Sequence, residues 1–263
     1  MNPELSYTQK PVDAEPQSAP QSFFSRLIGV WFSPAETFAG IGRAPQMLAP
    51  ILVLMIMGGA TSYLMVSRIG VSGFFRAGFE QAVAKGQMSQ EQADQRLQTM
   101  TNGPAAVFIK FLFPIIGLVQ SLVLALILVG IAKLITGLAG GENAFKPLFC
   151  VSLYTLLGTG VVSTVILITV LYLKPAEEID VNNLLGSNLA ALLTVMVGKD
   201  GLPKFIMALA RWVDVFAIWI IALLAIGYGA VTKRVKSSTF GATLGGIYLV
   251  VALIAAAWTT LTR

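Results

Sequence analysis

Five long runs free of charged residues decide the class of this chain: 47–66, 111–132, 147–173, 215–232 and 237–262. A helix needs about 20 mostly apolar residues to cross the hydrocarbon core of a bilayer. Only helices and closed barrels satisfy their backbone there, and uncharged runs of this length read as helices. The expected fold is an all-α, multi-pass transmembrane helical bundle of about five spans with amphipathic interfacial helices. The expected spans are 46–67, 112–138, 147–173, 204–232 and 237–261, within a membrane domain of 46–262.

Composition narrows the function classes. Only 12% of the 263 residues are charged, about half the share of a soluble domain. Spans and connectors use most of the length, so no separate soluble catalytic domain fits. The net charge of +5 is scattered, which points away from nucleic acid and suits a surface beside anionic lipid. The chain has no His, so it lacks the commonest metal ligand and general base. The one Cys, Cys150, lies inside the third run and reads as inert packing. There is no Gly-rich phosphate loop with a following Lys-Ser/Thr, no His-Glu-x-x-His, no Cys pair and no Gly-x-Ser-x-Gly elbow. No catalytic residue, cofactor or metal ligand is therefore expected.

Residues 1–22 are polar and carry Pro3, Pro11, Pro16 and Pro20, a pattern of a disordered tail rather than a cleaved signal. Amphipathic or interfacial helices are expected over 23–45. Phe24, Leu27, Ile28 and Trp31 share a helical face with Arg26 elsewhere, which suits a helix in the headgroup region or one packed on the protein. Ser33-Pro34-Ala35-Glu36 reads as a capping box that starts a second short helix ending near Gly42. In the 67–110 connector, Phe75, Phe79 and Val83 repeat every four residues, Gly86 breaks the pattern, and Ser89 with Gln92 forms another capping box. An amphipathic helical hairpin is expected there, with Pro114 breaking or kinking the entry to the second span. Gly140-Gly141-Glu142-Asn143 is a tight turn joining spans two and three. Residues 189–197 are apolar but too short to cross; they read as an interfacial or re-entrant helix capped by Ser187 or Asn188, or as part of a broken sixth span over 181–198.

Orientation rests on Lys233, Arg234 and Lys236 in a very short loop, which favours the cytoplasmic side. Five spans then put the N-terminus in the cytoplasm and the C-terminus outside, in a bacterial inner membrane. Arg26 and Arg43 agree, whereas Arg68, Arg76, Lys85, Arg96 and Lys110 fall on the other side.

Asp214 is the acid nearest the body of a span, and Arg211 lies three residues before it. On one helix that spacing allows a local ion pair, which lowers the cost of a carboxylate near lipid. The pair reads either as an ion, proton or partner site, or as an interface position with Trp212 in the aromatic belt. Gly158 and Gly160 interrupt the third span. Gly241 and Gly245 form a small-residue motif against which Gly227 and Gly229 can pack. Gln120, Ser121, Thr159, Ser163 and Thr164 can hydrogen-bond between helices or line a polar path.

Three segments together resemble the Yip family of Ypt/Rab-interacting membrane proteins, in its bacterial form. They are Ser33-Pro34-Ala35-Glu36-Thr37-Phe38 with Ile41, then Gly140-Gly141-Glu142-Asn143-Ala144-Phe145 with Tyr154, then Val213-Asp214-Val215-Phe216-Ala217-Ile218-Trp219 with Gly227. The resemblance runs from about residue 33 to 260. It implies a five-span helical fold with a cytosolic N-terminus and an accessory or scaffold role, such as assisting an ABC-type exporter. Tyr154 is not followed closely by a proline, and the Asp-Leu-Tyr-Gly-Pro signature of the eukaryotic branch is absent, so Rab binding is not carried over.

The leading expectation is thus a non-enzymatic protein whose partners are the bilayer and other integral membrane proteins, with homo-oligomers allowed. A small transporter or channel around Asp214 and Arg211 is the alternative. A lipid-interacting or membrane-shaping protein using 23–43 and 72–101 is the third.

Overall fold

The structure is a computed structural model that describes residues 21–141, 144–181, 183–198 and 201–262; residues 1–20 of the tail expected over 1–22, and Glu142-Asn143 of the tight turn, lie outside it, while Ser22 caps α1. Ten α-helices follow one another: α1 Phe23–Phe32, α2 Pro34–Arg43, α3 Leu48–Ala84, α4 Gln90–Asn102, α5 Pro104–Leu138, α6 Phe145–Leu173, α7 Leu189–Val197, α8 Lys204–Ala210, α9 Val215–Val231 and α10 Ser237–Thr262. The described residues hold no strand, only one isolated antiparallel bridge between Asn188 and Asp214. The all-α, multi-pass bundle is as expected.

Among the described residues, four helices are long and apolar enough to cross a membrane: Leu48–Ala84, Ala106–Leu138, Phe145–Leu173 and Ser237–Leu261. The fourth expected span, 204–232, is not one helix. It is the seven-residue α8, a break at Arg211 to Asp214, and the 17-residue α9. At 1.5 Å per residue α9 covers about 26 Å, slightly less than the hydrocarbon core. It packs between α6, α10 and α2.

The first two spans also run further than the hydropathy indicates. Arg68 marks the expected end of span one, yet α3 continues to Ala84. The Arg68 guanidinium donates from Nε to the Leu171 carbonyl (3.1 Å) and lies 5.2 Å over the Tyr172 ring, so α6 satisfies the charge at its own C-terminal turn. Two residues later the helix path breaks at Gly70, whose φ of 74° suits only a residue without Cβ. The helix ends at Gly86, again at positive φ (66°), a left-handed stop. The chain then enters α4 through the expected capping box: Ser89 Oγ accepts from Gln92 N–H and Gln92 Oε1 from Ser89 N–H. α5 begins at Pro104 rather than beyond Pro114, and Pro114 sits inside it without ending it. The second half of α3, α4 and the start of α5 pack as a small lobe around buried Val71, Ala93 and Ala106, with Phe74 against Phe113 at 4.9 Å.

The chain has two ends. At the turn end, the α5–α6 turn meets the α9–α10 loop, where Arg234 Nη1 donates to the Gly140 carbonyl (2.8 Å). At the lobe end lie α4, α7 and α8. α3, α5, α6, α9 and α10 run alternately between the two ends.

α1 and α2 form a hairpin packed on the bundle, not a lone surface helix. Phe38 and Ile41 are fully buried in the core with Leu153, Tyr154, Leu224 and Tyr228. Trp31 donates its indole N–H to the Gly158 carbonyl, 3.0 Å away. The outward face, Phe24, Ile28 and Phe32, stays exposed. The buried face of α1 is therefore Arg26 and Val30, offset from the expected stripe. The expected Ser33–Glu36 capping box does not form. Ser33 also closes α1, donating its N–H to the Gly29 carbonyl, and its ψ of 62° differs from the 160° of the working cap at Ser89.

Candidate functional site

Asp214 is not inside a helix beside Arg211. It is the N-cap of α9, and its carboxylate accepts from the Ala217 N–H (3.0 Å) and from the Ser187 hydroxyl. Backbone pairing flanks it on both sides, from Leu189 N–H to the Val213 carbonyl (2.9 Å) and from Val215 N–H to the Ser187 carbonyl (3.2 Å). The carboxylate thus clamps the strand-like approach to α7 onto the start of α9. Asn188 takes the cap of α7, accepting from Ala191 N–H at 3.0 Å. Arg211 ends α8, is exposed, and makes no ion pair with Asp214 among the described residues. The expected one-helix pair is absent because the helix breaks between the two. Trp212, expected in an aromatic belt, packs on α10. Its carbonyl accepts from the Tyr248 hydroxyl (2.7 Å), and its ring meets the Tyr248 ring edge-on at 5.6 Å.

The hydroxyl residues expected between helices do converge. Gln120, Ser121, Thr159, Ser163 and Thr164 line one cavity of about 300 Å³, joined by Thr61 and Ser62. It lies between α3, α5, α6 and α9, closed on one side by Phe216 and Ile220. Thr159 and Ser163 bond back to the Thr155 and Gly160 carbonyls, which leaves their oxygen lone pairs for a guest. The cavity suits water or a small neutral polar solute, and no charged side chain is among the described residues that line it. Neither Asp214 nor Arg211 borders it.

The glycines divide. A Cβ at Gly158 would press on Val30 and Trp31, one at Gly160 on Met57, and one at Gly227 on Val151 and Phe38. Gly227 therefore seats α2 and α6, not α10 as expected, while Gly229 abuts Ser237 at the start of α10. Gly241 touches only Ala225, at the ordinary distance of 3.4 Å, and Gly245 meets nothing within 4 Å. A close backbone approach of two helices lies elsewhere, at Gly58 of α3 and Gly117 of α5, where a Cβ at Gly58 would stand 2.1 Å from the Gly117 oxygen. The pair shares no motif, being 59 positions apart, so only the fold reveals it.

Sequence reasoning also missed Arg26. It is 1% exposed, donating from Nη1 to the Ala44 carbonyl (2.8 Å) and from Nε to the Gln21 carbonyl (3.1 Å). It ties the entry of α1 to the exit of α2. A second hidden bond joins Ser152 and Tyr228, hydroxyl to hydroxyl at 2.6 Å, across α6 and α9. The polar residues inside two apolar spans were the available signal.

The Yip1 domain model matches residues 28–259. The chain belongs to the Yip family. The Yip1 domain thus reaches from inside α1 into the last turns of α10 and takes in the four long apolar helices and α9. The three motif segments fall at its joints: the α1–α2 turn, the α5–α6 turn and the Asp214 cap. No curated protein and no solved structure matches the chain.

Proposed function

We propose that this Yip family protein is a non-enzymatic accessory or scaffold of the membrane that binds other integral membrane proteins, an ABC-type exporter being one such partner. The observation that supports this is on the outward face of α5. Gly130 and Gly137, seven residues apart and so on one side of the helix, meet no atom within 4 Å. Exposed Ile127, Leu134 and Leu138 accompany them. Small residues flanked by large aliphatics let a second helix approach closely in lipid, where dispersion rather than water expulsion drives pairing. A photocrosslinker at Leu134 in native membranes tests the proposal. A discrete adduct with another membrane protein, lost in Gly130→Leu, is expected. Adducts with lipid alone would remove the idea, and adducts with a second copy of the chain would reassign the face to self-association.

The polar cavity favours one second reading, a small solute pathway. Asp214 and Arg211 have no part in it, since Asp214 acts as a cap. Liposome flux of a small neutral solute, compared between the native chain and Gln120→Leu, tests it; equal flux would dismiss it.

The orientation proposed has the turn end in the cytoplasm of a bacterial inner membrane. The cluster of Lys233, Arg234 and Lys236 in one very short loop supports it, with Arg26, Arg43, Lys133 and Lys146 at or near the same end, against Arg68, Arg76, Lys85, Arg96, Lys110, Lys174, Lys204 and Arg211 spread over longer segments at the lobe end.

A further inference from the structure

A cavity of about 870 Å³ opens at the lobe end, between the end of α3, α8 and the last turns of α10. Lys85, Lys204 and Arg211 line it, and no acid is among the described residues that do. Three cations from two segments, Lys85 after α3 and Lys204 and Arg211 at the two ends of α8, converge on one concave surface and form a positive well that favours an anion. Depth narrows the choice. Thr259 and Thr260 line the cavity, and α10 starts at Ser237 at the opposite end. At 1.5 Å per residue they lie about 33 Å along α10, just past a hydrocarbon core of about 30 Å. Trp258 and Leu261 beside them are 69% and 84% exposed, an apolar rim that an acyl chain can lie against. Leu202 and Met207 give the wall an apolar side.

We infer that this cavity binds the phosphate headgroup of an anionic phospholipid in the leaflet at the lobe end. Lys204 and Arg211 take the phosphodiester, and the apolar rim takes the upper acyl and glycerol carbons. The inference is independent of the accessory role. Arg211, which looked like the partner of Asp214, is freed for it by the break after α8. Arg211 also borders a neighbouring cavity of about 400 Å³ whose lining includes Glu178 and Asp180, so Lys204 is the cleaner probe.

The test is native mass spectrometry of the full chain in neutral detergent, titrated with phosphatidylglycerol or phosphatidylcholine. Preferential retention of phosphatidylglycerol is expected. Lys204→Gln and Arg211→Gln should each weaken it about fivefold, and the double variant about 25-fold, the scale of one surface cation against an anionic headgroup. Lys233→Gln with Lys236→Gln, at the turn end, should leave it within twofold. Thermal unfolding of each variant checks that the fold is intact. An unchanged affinity in the Lys204/Arg211 double variant would overturn the assignment. So would an equal loss in the turn-end double variant. Binding of soluble glycerol phosphate as tight as that of the lipid would show a free-phosphate site instead and refute the lipid assignment.

Discussion

Arg26 gives the sharpest energetic test of how the α1–α2 hairpin is held. Its guanidinium is 1% exposed and bonded to the carbonyls of Gln21 and Ala44. Hydrogen bonds from a charged donor contribute about 1.5–3 kcal/mol each, so two give about 3–6 kcal/mol. Removing the charge also returns part of its burial cost, which makes about 3 kcal/mol the working figure for Arg26→Ala. Arg26→Met keeps most of the bulk, and its smaller loss separates the bonds from the cavity. Arg26→Lys replaces the planar fork by a point charge and should lie between. The chain carries its own reporter. Cys150 is its single thiol, 0% exposed and beside both Arg26 and the Gln46 backbone. Maleimide labelling of Cys150 in mild detergent reads the opening equilibrium of that region. A loss of about 3 kcal/mol should speed labelling about 150-fold in Arg26→Ala. Labelling within twofold of the native rate would refute the reasoning and make Arg26 dispensable to docking.

Three further outcomes follow from the packing. Gly58→Val should destabilise the α3–α5 crossing by more than about 2 kcal/mol, seen as a lower melting temperature in detergent, whereas Gly245→Ala should change it by less than about 0.5 kcal/mol. Asp214→Asn should stay within about 1 kcal/mol of the native protein, because Asn also caps helices, while Asp214→Ala should cost more; equal melting of the two would remove the cap role. Tyr228→Phe, which deletes the hydroxyl partner of Ser152, should cost about 1 kcal/mol in the same melt, and a stabilised variant would contradict the value placed on that bond.

Hydropathy marked the long apolar helices because the bilayer demands apolar length, and helix ends were legible where side chains cap locally. Ser89 with Gln92 is such a case, as are Asn188 and the stop at Gly86. Errors came where a distant element changes the local balance. Arg68 reads as a boundary, yet α6 offers it a carbonyl and a ring, so α3 continues. Pro114 reads as a breaker, yet α5 runs through it. Asp214 and Arg211 read as neighbours on one turn, but α8 closes in a turn at Arg211 and Trp212, and the pairing with Ser187 and Leu189 holds Asp214 extended at the start of α9. Arg26 reads as a solvated charge, since nothing within its own helix announces carbonyls at Gln21 and Ala44. The polar cavity was legible in its residues, Gln120 through Thr164, and not in its separation from Asp214. Small-residue motifs misled most: the spaced pair Gly241/Gly245 is nearly unpacked, and the unspaced pair Gly58/Gly117 brings two helix backbones into close contact.

The short α9 is the part of the five-crossing path that demands most, at 17 residues. Single cysteines at Lys204 and Lys236, in a Cys150→Ala background, bracket it. Labelled in sealed membrane vesicles with a reagent that does not cross lipid, the two should react from opposite sides. Reaction of both from the same side would mean that α9 does not cross, and the five-helix path would fall with it.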